Sequence, residues 1–381
     1  MTAELARRAA ETGRLAIDTE FMSERHYQAM LCLAQLAVAD PDEPTGVRTE
    51  ILDPLEDDRD PGPVAAALAD PAVEVVVHAG RQDVAILKRT WATEVRNVFD
   101  TQVAAGFLGF GLQEGYGTLV RKVLGIEPAG GEAFTHWDRR PLTDQQLEYA
   151  RADAAHLLSL GDAIEARLTE AGRLEWAREE CRALEQVSDE RDPAAVFARL
   201  PRVGRLRARD RAVAMELVEW RERTAARLDR SVPSILPDHV LVELARRRPS
   251  SRETLAQARG LPAATRERRH DELLEAIARG GERESPPAPP QPPRIEPAEA
   301  PLVALAQALV RHASLRTGVA TELIATQAEL VRAVEAARRG EEAQVRVLDG
   351  WRREVVGGEL LELLAGRRTL RVGPEGLEVE G

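Results

Sequence analysis

Apolar residues in the first hundred positions fall into short runs separated by turn signals, and these runs predict the architecture. Residues 3–12 read as a short helix, and LAIDTEF (15–21) reads as a buried strand. LCLAQLAVAD (31–40) and TEILDPL (49–55) follow, with Pro41, Pro44 and Gly46 marking the turn between them. Three strands in a row with short connections predict an antiparallel meander. After a helical stretch at 63–69, VEVVVHAG (73–80) is a buried strand running into a helix that begins near Gly80. NVFDTQ (97–102) supplies one more strand or strand end, and from there the pattern is helical. A meander followed by strand and helix alternation predicts a mixed sheet covered by helices, an α/β layer architecture.

The later chain is punctuated differently. In PLTDQQLEYARADAAHLLSL (141–160), Thr143 and Gln146 have capping-box spacing, and Leu147, Ala150, Ala154 and Leu157 mark a packed helical face. Residues 199–280 carry helical spacing around Trp220, with Pro237 and Pro249 as breaks. PPAPPQPP within 281–301 predicts a stiff, disordered linker of polyproline character. Residues 302–340 are again helical and amphipathic, and RTLRVGPEGLEVEG at the end reads as a short hairpin around Gly373 to Gly376 or a loose tail.

At 381 residues, 44% hydrophobic and 30% charged, the chain is long enough for two or three domains with cores of their own. No apolar run approaches the roughly 18 residues that span a bilayer, and the N-terminus lacks the apolar segment of a secretory signal. A cytoplasmic protein without a membrane partner is the expectation. Cys32 and Cys181 stand apart, with neither zinc nor redox spacing, so packing is their expected role. The formal net charge of −12 argues against non-specific coating of nucleic acid, but the charge is unevenly spread. Residues 199–280 hold 19 Arg against 12 Asp plus Glu, a balance of +7, which leaves the rest of the chain at −19. With only two lysines, Lys88 and Lys122, some of that arginine reflects a chain-wide preference.

Candidate chemistry begins in the first strand. Asp18 and Glu20 are two apart, so they share a strand face at roughly 7 Å and can reach a common metal cluster. With 64 acidic residues in 381, the same spacing also describes a solvated strand face. Asp83 falls in the first helical turn after the Val75–Val77 run, where a mixed sheet presents its ligand-binding edge, and where an acid also complements a helix N-terminus. His78 at the end of that strand reads as a structural residue. Tyr149 and Asp153 lie one helical turn apart, roughly 6 Å along the axis, with hydroxyl and carboxylate on one side. The chain has only three tyrosines, Tyr27, Tyr116 and Tyr149. Together the four carboxylates form an oxygen-only set suited to two hard divalent ions, Mg²⁺ or Mn²⁺. Two such ions about 4 Å apart activate water on one side of a phosphodiester and stabilise the leaving 3′ oxygen on the other. Tyr149, with an ordinary pKa near 10, suits orientation of the attacking water better than service as a base.

The segments LAIDTEF, HAGRQDVAIL, VFDTQ and RPLTDQQLEYARADAAHL together resemble the DEDD exonucleases of the tyrosine class, and most closely the bacterial ribonuclease D family. The resemblance implies a ribonuclease H-like fold over about residues 1–185 and metal-dependent release of nucleoside 5′-monophosphates from 3′ ends. It assigns metal binding to Asp18, Glu20, Asp83 and Asp153, with Asp18 bridging, and water orientation to Tyr149. The sister class carries a His five residues before the last Asp, where this chain has Glu148. Residues 199–280 resemble the helicase and ribonuclease D C-terminal (HRDC) domain, a small helical bundle that often contacts nucleic acid, although these arginines also fit solvated helix faces. Residues 302–381 resemble a second, more divergent bundle of the same kind.

The chain also departs from the family pattern. An extra strand usually precedes the first helix, so either the start lies upstream of Met1 or that edge strand is missing. Thr135, His136 and Trp137 stand where Ser or Thr, Asp and Trp are common, and Gly130 and Gly131 replace a Lys and Ser, which alters the expected substrate-strand contacts near 130–137. The leading expectation is a monomeric 3′-to-5′ exoribonuclease acting on structured RNA with a free 3′ end, transfer RNA precursors above all. A 3′-to-5′ DNA exonuclease, a silent nucleic-acid binder, and a docking platform for a protein partner remain alternatives.

Overall fold

The computed structural model describes residues 2–56, 58–127, 136–289, 295–374 and 376–380. Helix α1 (Thr2–Thr12) turns through Gly13, at φ +71°, into β1 (Arg14–Met22). Strands β2 (Met30–Ala39) and β3 (Val47–Leu52) complete the meander, and α2 (Gly62–Ala69), β4 (Glu74–Val77), α3 (Arg81–Thr90) and β5 (Val98–Asp100) supply the alternating units. The sheet order is β3-β2-β1-β4-β5, antiparallel from β3 to β1 and parallel from β1 to β5, so the predicted mixed sheet is present. β3 stops at Leu52, short of the expected Leu55. There Asp53 turns the chain, accepting the Leu55 N–H at 3.0 Å and holding the Arg140 guanidinium at 2.5 and 2.7 Å.

Next come α4 (Thr101–Ala105), α5 (Tyr116–Leu119), α6 (Asp144–Ala155), α7 (Leu157–Glu170) and α8 (Leu174–Glu185). The expected capping box is present, with Thr143 accepting the Gln146 N–H. The apolar stretch 141–160 divides at His156, whose φ of −106° and ψ of 0° separate α6 from α7. Alternation along β1 sorts the two layers. Leu15 and Ile17 face α1, α2 and α3, whereas Ala16 faces Ala154, Leu157 and Leu158 of α6 and α7. Both cysteines are free and buried, and Cys181 Sγ accepts the Asp100 N–H at 3.3 Å.

A helical unit follows: α9 (Pro193–Arg199), α10 (Ala208–Leu228), α11 (Val232–Ile235), α12 (Asp238–Arg247), α13 (Arg252–Ala256), α14 (Ala263–Arg268) and α15 (His270–Glu282). Pro237 and Pro249 bracket α12, and Leu217, Trp220, Val240 and Leu273 belong to its core. The unit is fastened to the β1–β2 connection. Asp229 bonds His26 at 2.6 Å and the Tyr27 N–H at 3.1 Å, and Ser231 donates its N–H to the Arg25 carbonyl at 3.1 Å.

The last segment holds α16 (Ala300–Thr317), α17 (Thr321–Ile324), α18 (Gln327–Arg339), α19 (Gly350–Arg352) and α20 (Gly358–Leu364). Strands β6 (Thr369–Gly373) and β7 (Gly376–Glu380) then form the hairpin that was one of the two expected forms of the tail. These helices share a core with the N-terminal unit: Leu309, Ile324, Trp351 and Val356 cluster with Phe99, Phe107, Leu160 and Ile164. Trp351 stacks on Trp176 at 5.5 Å, meets Phe107 edge-on at 5.1 Å and donates its indole N–H to Glu180 at 3.4 Å. Among the described residues no helix is long and apolar enough to cross a membrane.

Trp351→Ala empties the centre of this shared core. It is expected to cost about 3–5 kcal/mol, as large-to-small core changes do. Chemical denaturation should report one destabilised transition involving the N-terminal unit; loss of the C-terminal helices alone, with the rest at parental stability, would contradict a common core.

Candidate active site

The sheet edge is open where the site forms. β1 pairs with β4 only from Arg14 to Ala16, so from Ile17 onward its β4-side edge has no strand beside it among the described residues. Asp18 and Glu20 lie on this free stretch, on the face that α6 covers, opposite Gln35 and Leu33 of β2. A bulge between Glu20 and Phe21, with Cys32 as the extra residue on β2, ends the regular ladder. From the other side α3 brings in Asp83, which is buried and accepts a hydrogen bond from the Thr19 hydroxyl. From above, α6 brings Tyr149 and Asp153, whose hydroxyl and carboxylate are hydrogen-bonded to each other.

The four acids share one electrostatic neighbourhood. Burial, followed by repulsion from Asp83, Asp153 and Glu20, pushes Asp18 well above the usual carboxylate range. Burial and the charges of Asp153 and Asp83 raise Glu20 to about 8. Burial raises Asp83 and Asp153 to about 6 each, against the opposing hydrogen bonds from Thr19 and Tyr149. Tyr149 is itself pushed up by burial and by Asp153 and Glu20, so it stays a protonated donor at neutral pH. No Arg or Lys forms an ion pair with any of the four among the described residues. Their oxygens do not already close around one point, since among the described residues no three His, Cys, Asp or Glu side chains stand at ligating distance.

Residues that local patterns do not reveal hold this arrangement. Asp100 is 1% exposed, and its carboxylate accepts the N–H groups of Ala79, Gly80, Gln102 and Val103 at 2.8–3.3 Å, locking the β4–α3 turn to the start of α4. A Cβ at Gly80 would sit 2.5 Å from Val77, so only glycine lets the chain turn this tightly toward Asp83. Arg140 anchors the entry to α6, donating to the Trp137 carbonyl at 2.6 Å and the Cys32 carbonyl at 3.0 Å as well as to Asp53. Trp137 is buried 6.1 Å from the Tyr149 ring. VFDTQ and the Arg-Pro-Leu run signalled these segments in the sequence but not the roles of Asp100 and Arg140. Two further polar groups border the acids. Gln35 is fully buried and neither of its amide atoms has a hydrogen-bond partner among the described residues, and the Tyr116 hydroxyl is buried near Asp153, which with that burial pushes its pKa up. His78 bonds Thr101 at 3.0 Å and meets the Tyr116 ring edge at 5.7 Å. Thr135, Gly130 and Gly131 lie outside the described residues.

The mixed sheet that carries these side chains belongs to a 3′–5′ exonuclease unit. Residues 1–169 match the family model described as 3′-5′ exonuclease, and residues 210–277 match the HRDC domain. The chain is 38% identical to ribonuclease D of Granulibacter bethesdensis, over 94% of this chain and 89% of that one. It is 35% identical to ribonuclease D of Nitrobacter hamburgensis, over 97% and 96%. The crystal structure of Escherichia coli RNase D, described as an exoribonuclease involved in structured RNA processing, superposes with a TM-score of 0.81 at 26% identity, covering 96% of each chain. The chain belongs to the ribonuclease D family and is a 3′-to-5′ exoribonuclease.

The raised pKa of Glu20 makes a testable statement about stability without metal. Its folded state holds the proton more tightly than the unfolded chain, whose pKa is near 4.5, so its favourable contribution is complete below that pH and lost as pH rises through about 8. In chelator, the melting-temperature difference between parent and Glu20→Gln is expected to fall steadily across this window, and Mn²⁺ is expected to restore it for the parent only. A pH-independent difference would mean that Glu20 is not held among uncompensated charges.

Proposed function

We propose that Asp18, Glu20, Asp83 and Asp153 would hold two divalent cations, Mg²⁺ or Mn²⁺. The observation that carries this reading is the cluster of four carboxylates with no cationic side chain paired to any of them among the described residues. An oxygen-only set of this kind fits hard divalent ions. When bound, the cations neutralise the cluster and polarise the scissile phosphate and the attacking water. The protein's own contribution is placement. β1 fixes Asp18 and Glu20 at the open edge, and Asp100 fixes the turn that delivers Asp83. α6 carries Tyr149, whose protonated hydroxyl, hydrogen-bonded to Asp153, orients the water toward phosphorus. Attack on the terminal phosphodiester breaks the bond to the 3′ oxygen, releases a nucleoside 5′-monophosphate and leaves a shortened RNA with a new 3′ hydroxyl.

The substrates in this reading are structured RNAs with single-stranded 3′ ends, transfer RNA precursors foremost, processed in the cytoplasm by a single copy of the chain. Supporting this are the 3′-end chemistry of the site, the relationship to an exoribonuclease described as acting in structured RNA processing, and two helical units fastened to one nuclease unit.

The experiment is a time course on 5′-labelled RNA and matched DNA with Mg²⁺ or Mn²⁺, alongside Asp18→Asn, Glu20→Gln, Asp153→Asn and a chelator control. RNA should ladder from its 3′ end only with metal, and each variant should lose at least about 100-fold in rate while binding RNA normally, the scale of loss expected when transition-state charge stabilisation is removed. Full activity in any variant would sink its assignment. Preferential laddering of DNA would move the function to DNA processing, and binding without laddering would leave a silent binder.

A further inference from the structure

One fully buried polar side chain beside the acids is left without a partner. Gln35 lies on β2 directly opposite Asp18 of β1, on the same face of the sheet, and is 0% exposed. Neither its Nε2 nor its Oε1 has a hydrogen-bond partner among the described residues. Its surroundings are otherwise those of an apolar position. Leu33 and Ala37 are its neighbours along the face, Ile51 of β3 stands on its far side, and α6 covers the face through Ala150, which packs with Leu33, and Ala154, which packs with Ala37. Of the four side chains beside it in the sheet, only that of Asp18 can hydrogen-bond.

Asp18 has the matching need. Asp83 is held by the Thr19 hydroxyl and Asp153 by the Tyr149 hydroxyl, whereas Asp18 receives the Thr19 N–H and no side-chain donor among the described residues. Directly opposed residues of antiparallel strands bring their Cβ atoms to about 4.5–5.5 Å, so a glutamine amide reaches a facing carboxylate without any movement of the strands. We propose that Gln35 is a positioning residue for Asp18: in the metal-loaded protein its Nε2–H donates to the Asp18 carboxylate and fixes the direction in which that carboxylate faces the site. The inference rests on the reading of the four acids as the metal site. It also accounts for the unpaired amide, because among the described residues the acids do not stand at ligating distance, and the hydrogen bond belongs to the arrangement in which they do.

The residue type fits this role. A lysine or arginine opposite Asp18 would also donate, but its charge would compete with the cations for the cluster. A carboxylate there would add a further negative charge, and the leucine or methionine that the apolar neighbours favour would leave Asp18 without a donor. An amide donates and carries no charge. Ligating carboxylates are commonly oriented by hydrogen bonds of this kind, from groups that do not touch the metal. Buried beneath α6, Gln35 is out of reach of RNA, so its effect on the reaction passes through Asp18.

The test measures Mn²⁺ binding by the full chain stripped of metal, from the electron paramagnetic resonance signal of free Mn²⁺, beside thermal melting in chelator. Gln35→Met keeps the approximate volume and removes the amide. It is expected to bind Mn²⁺ about 10- to 100-fold more weakly than the parent, the usual effect of losing a group that orients a ligand. In chelator it should melt at or above the parental temperature, since an apolar group of similar shape replaces an unpaired buried amide. Leu33→Met, a change of shape two residues away on the same face, is the control and should keep the parental Mn²⁺ affinity. Parental affinity in Gln35→Met overturns the proposal, as does an equal loss in Leu33→Met, which would assign the effect to packing under α6. A loss of affinity together with a lower melting temperature in chelator also overturns it, since the amide would then support the metal-free fold instead. Should Gln35→Met fail to fold, a crystal structure of the parent with Mn²⁺ decides: Gln35 Nε2 is expected within about 3.2 Å of an Asp18 oxygen, and an amide bonded to α6 or to a buried water overturns the assignment. Asp18→Asn separates this inference from the reading beneath it. If that variant binds Mn²⁺ as the parent does, the metal reading of the acids fails and takes the role of Gln35 with it; if it loses Mn²⁺ while Gln35→Met does not, only the role of Gln35 fails.

Discussion

Repulsion among like charges is the constraint around which the N-terminal unit is built. Two carboxylates brought to about 4 Å repel by about 4 kcal/mol at the effective dielectric of a protein surface, well above the 0–1 kcal/mol of a typical exposed ion pair. Four of them stay together without counter-charge by holding protons more tightly, as their raised pKa values record, and by a frame that fixes the elements carrying them. That frame is visible in the buried Asp100 carboxylate with its four backbone donors, in Gly80 pressed against Val77, and in Arg140 tied to Asp53 and two carbonyls. None of these residues belongs to the acid cluster. Their work is to hold the elements that carry it while each acid raises its neighbours' pKa values.

What could be read in the sequence was whatever repeats locally. Asp18 and Glu20 are found by the two-residue period of a strand, Tyr149 and Asp153 by the four-residue reach of a helix, and Asp83 by its place after a run of valines. The meander and the parallel units follow from the same periods, and the observed sheet has that order. What could not be read depends on partners distant in sequence. Thr19 points to the opposite side of β1 from its acidic neighbours, yet it meets Asp83 because β4 is too short to stand between them. Arg140 is separated from Asp53 by 87 positions and from Cys32 by 108. No period connects such pairs.

The helical units show the same division. Trp220 and the flanking prolines placed the first bundle, because a bundle core is a local pattern repeated. The merger of the last helices with the nuclease core was invisible, since Trp351 and Trp176 are each only an aromatic residue on a helix until the fold stacks them. Charge behaves likewise. A balance of +7 counts formal charges, whereas pairing depends on the fold: Arg279 pairs with Glu216, 63 positions away, while Arg246 has no acidic partner among the described residues.

The open edge of β1 carries a second unmet demand besides the charge of its acids. The Gln35 amide, buried opposite Asp18, makes no hydrogen bond among the described residues. Burying an amide unsatisfied costs about 1–3 kcal/mol, so its presence is a standing cost that packing alone does not offset. The site thus bears two local costs, the mutual repulsion of its acids and the unpaired Gln35 amide, and the frame around the carboxylates holds both in place.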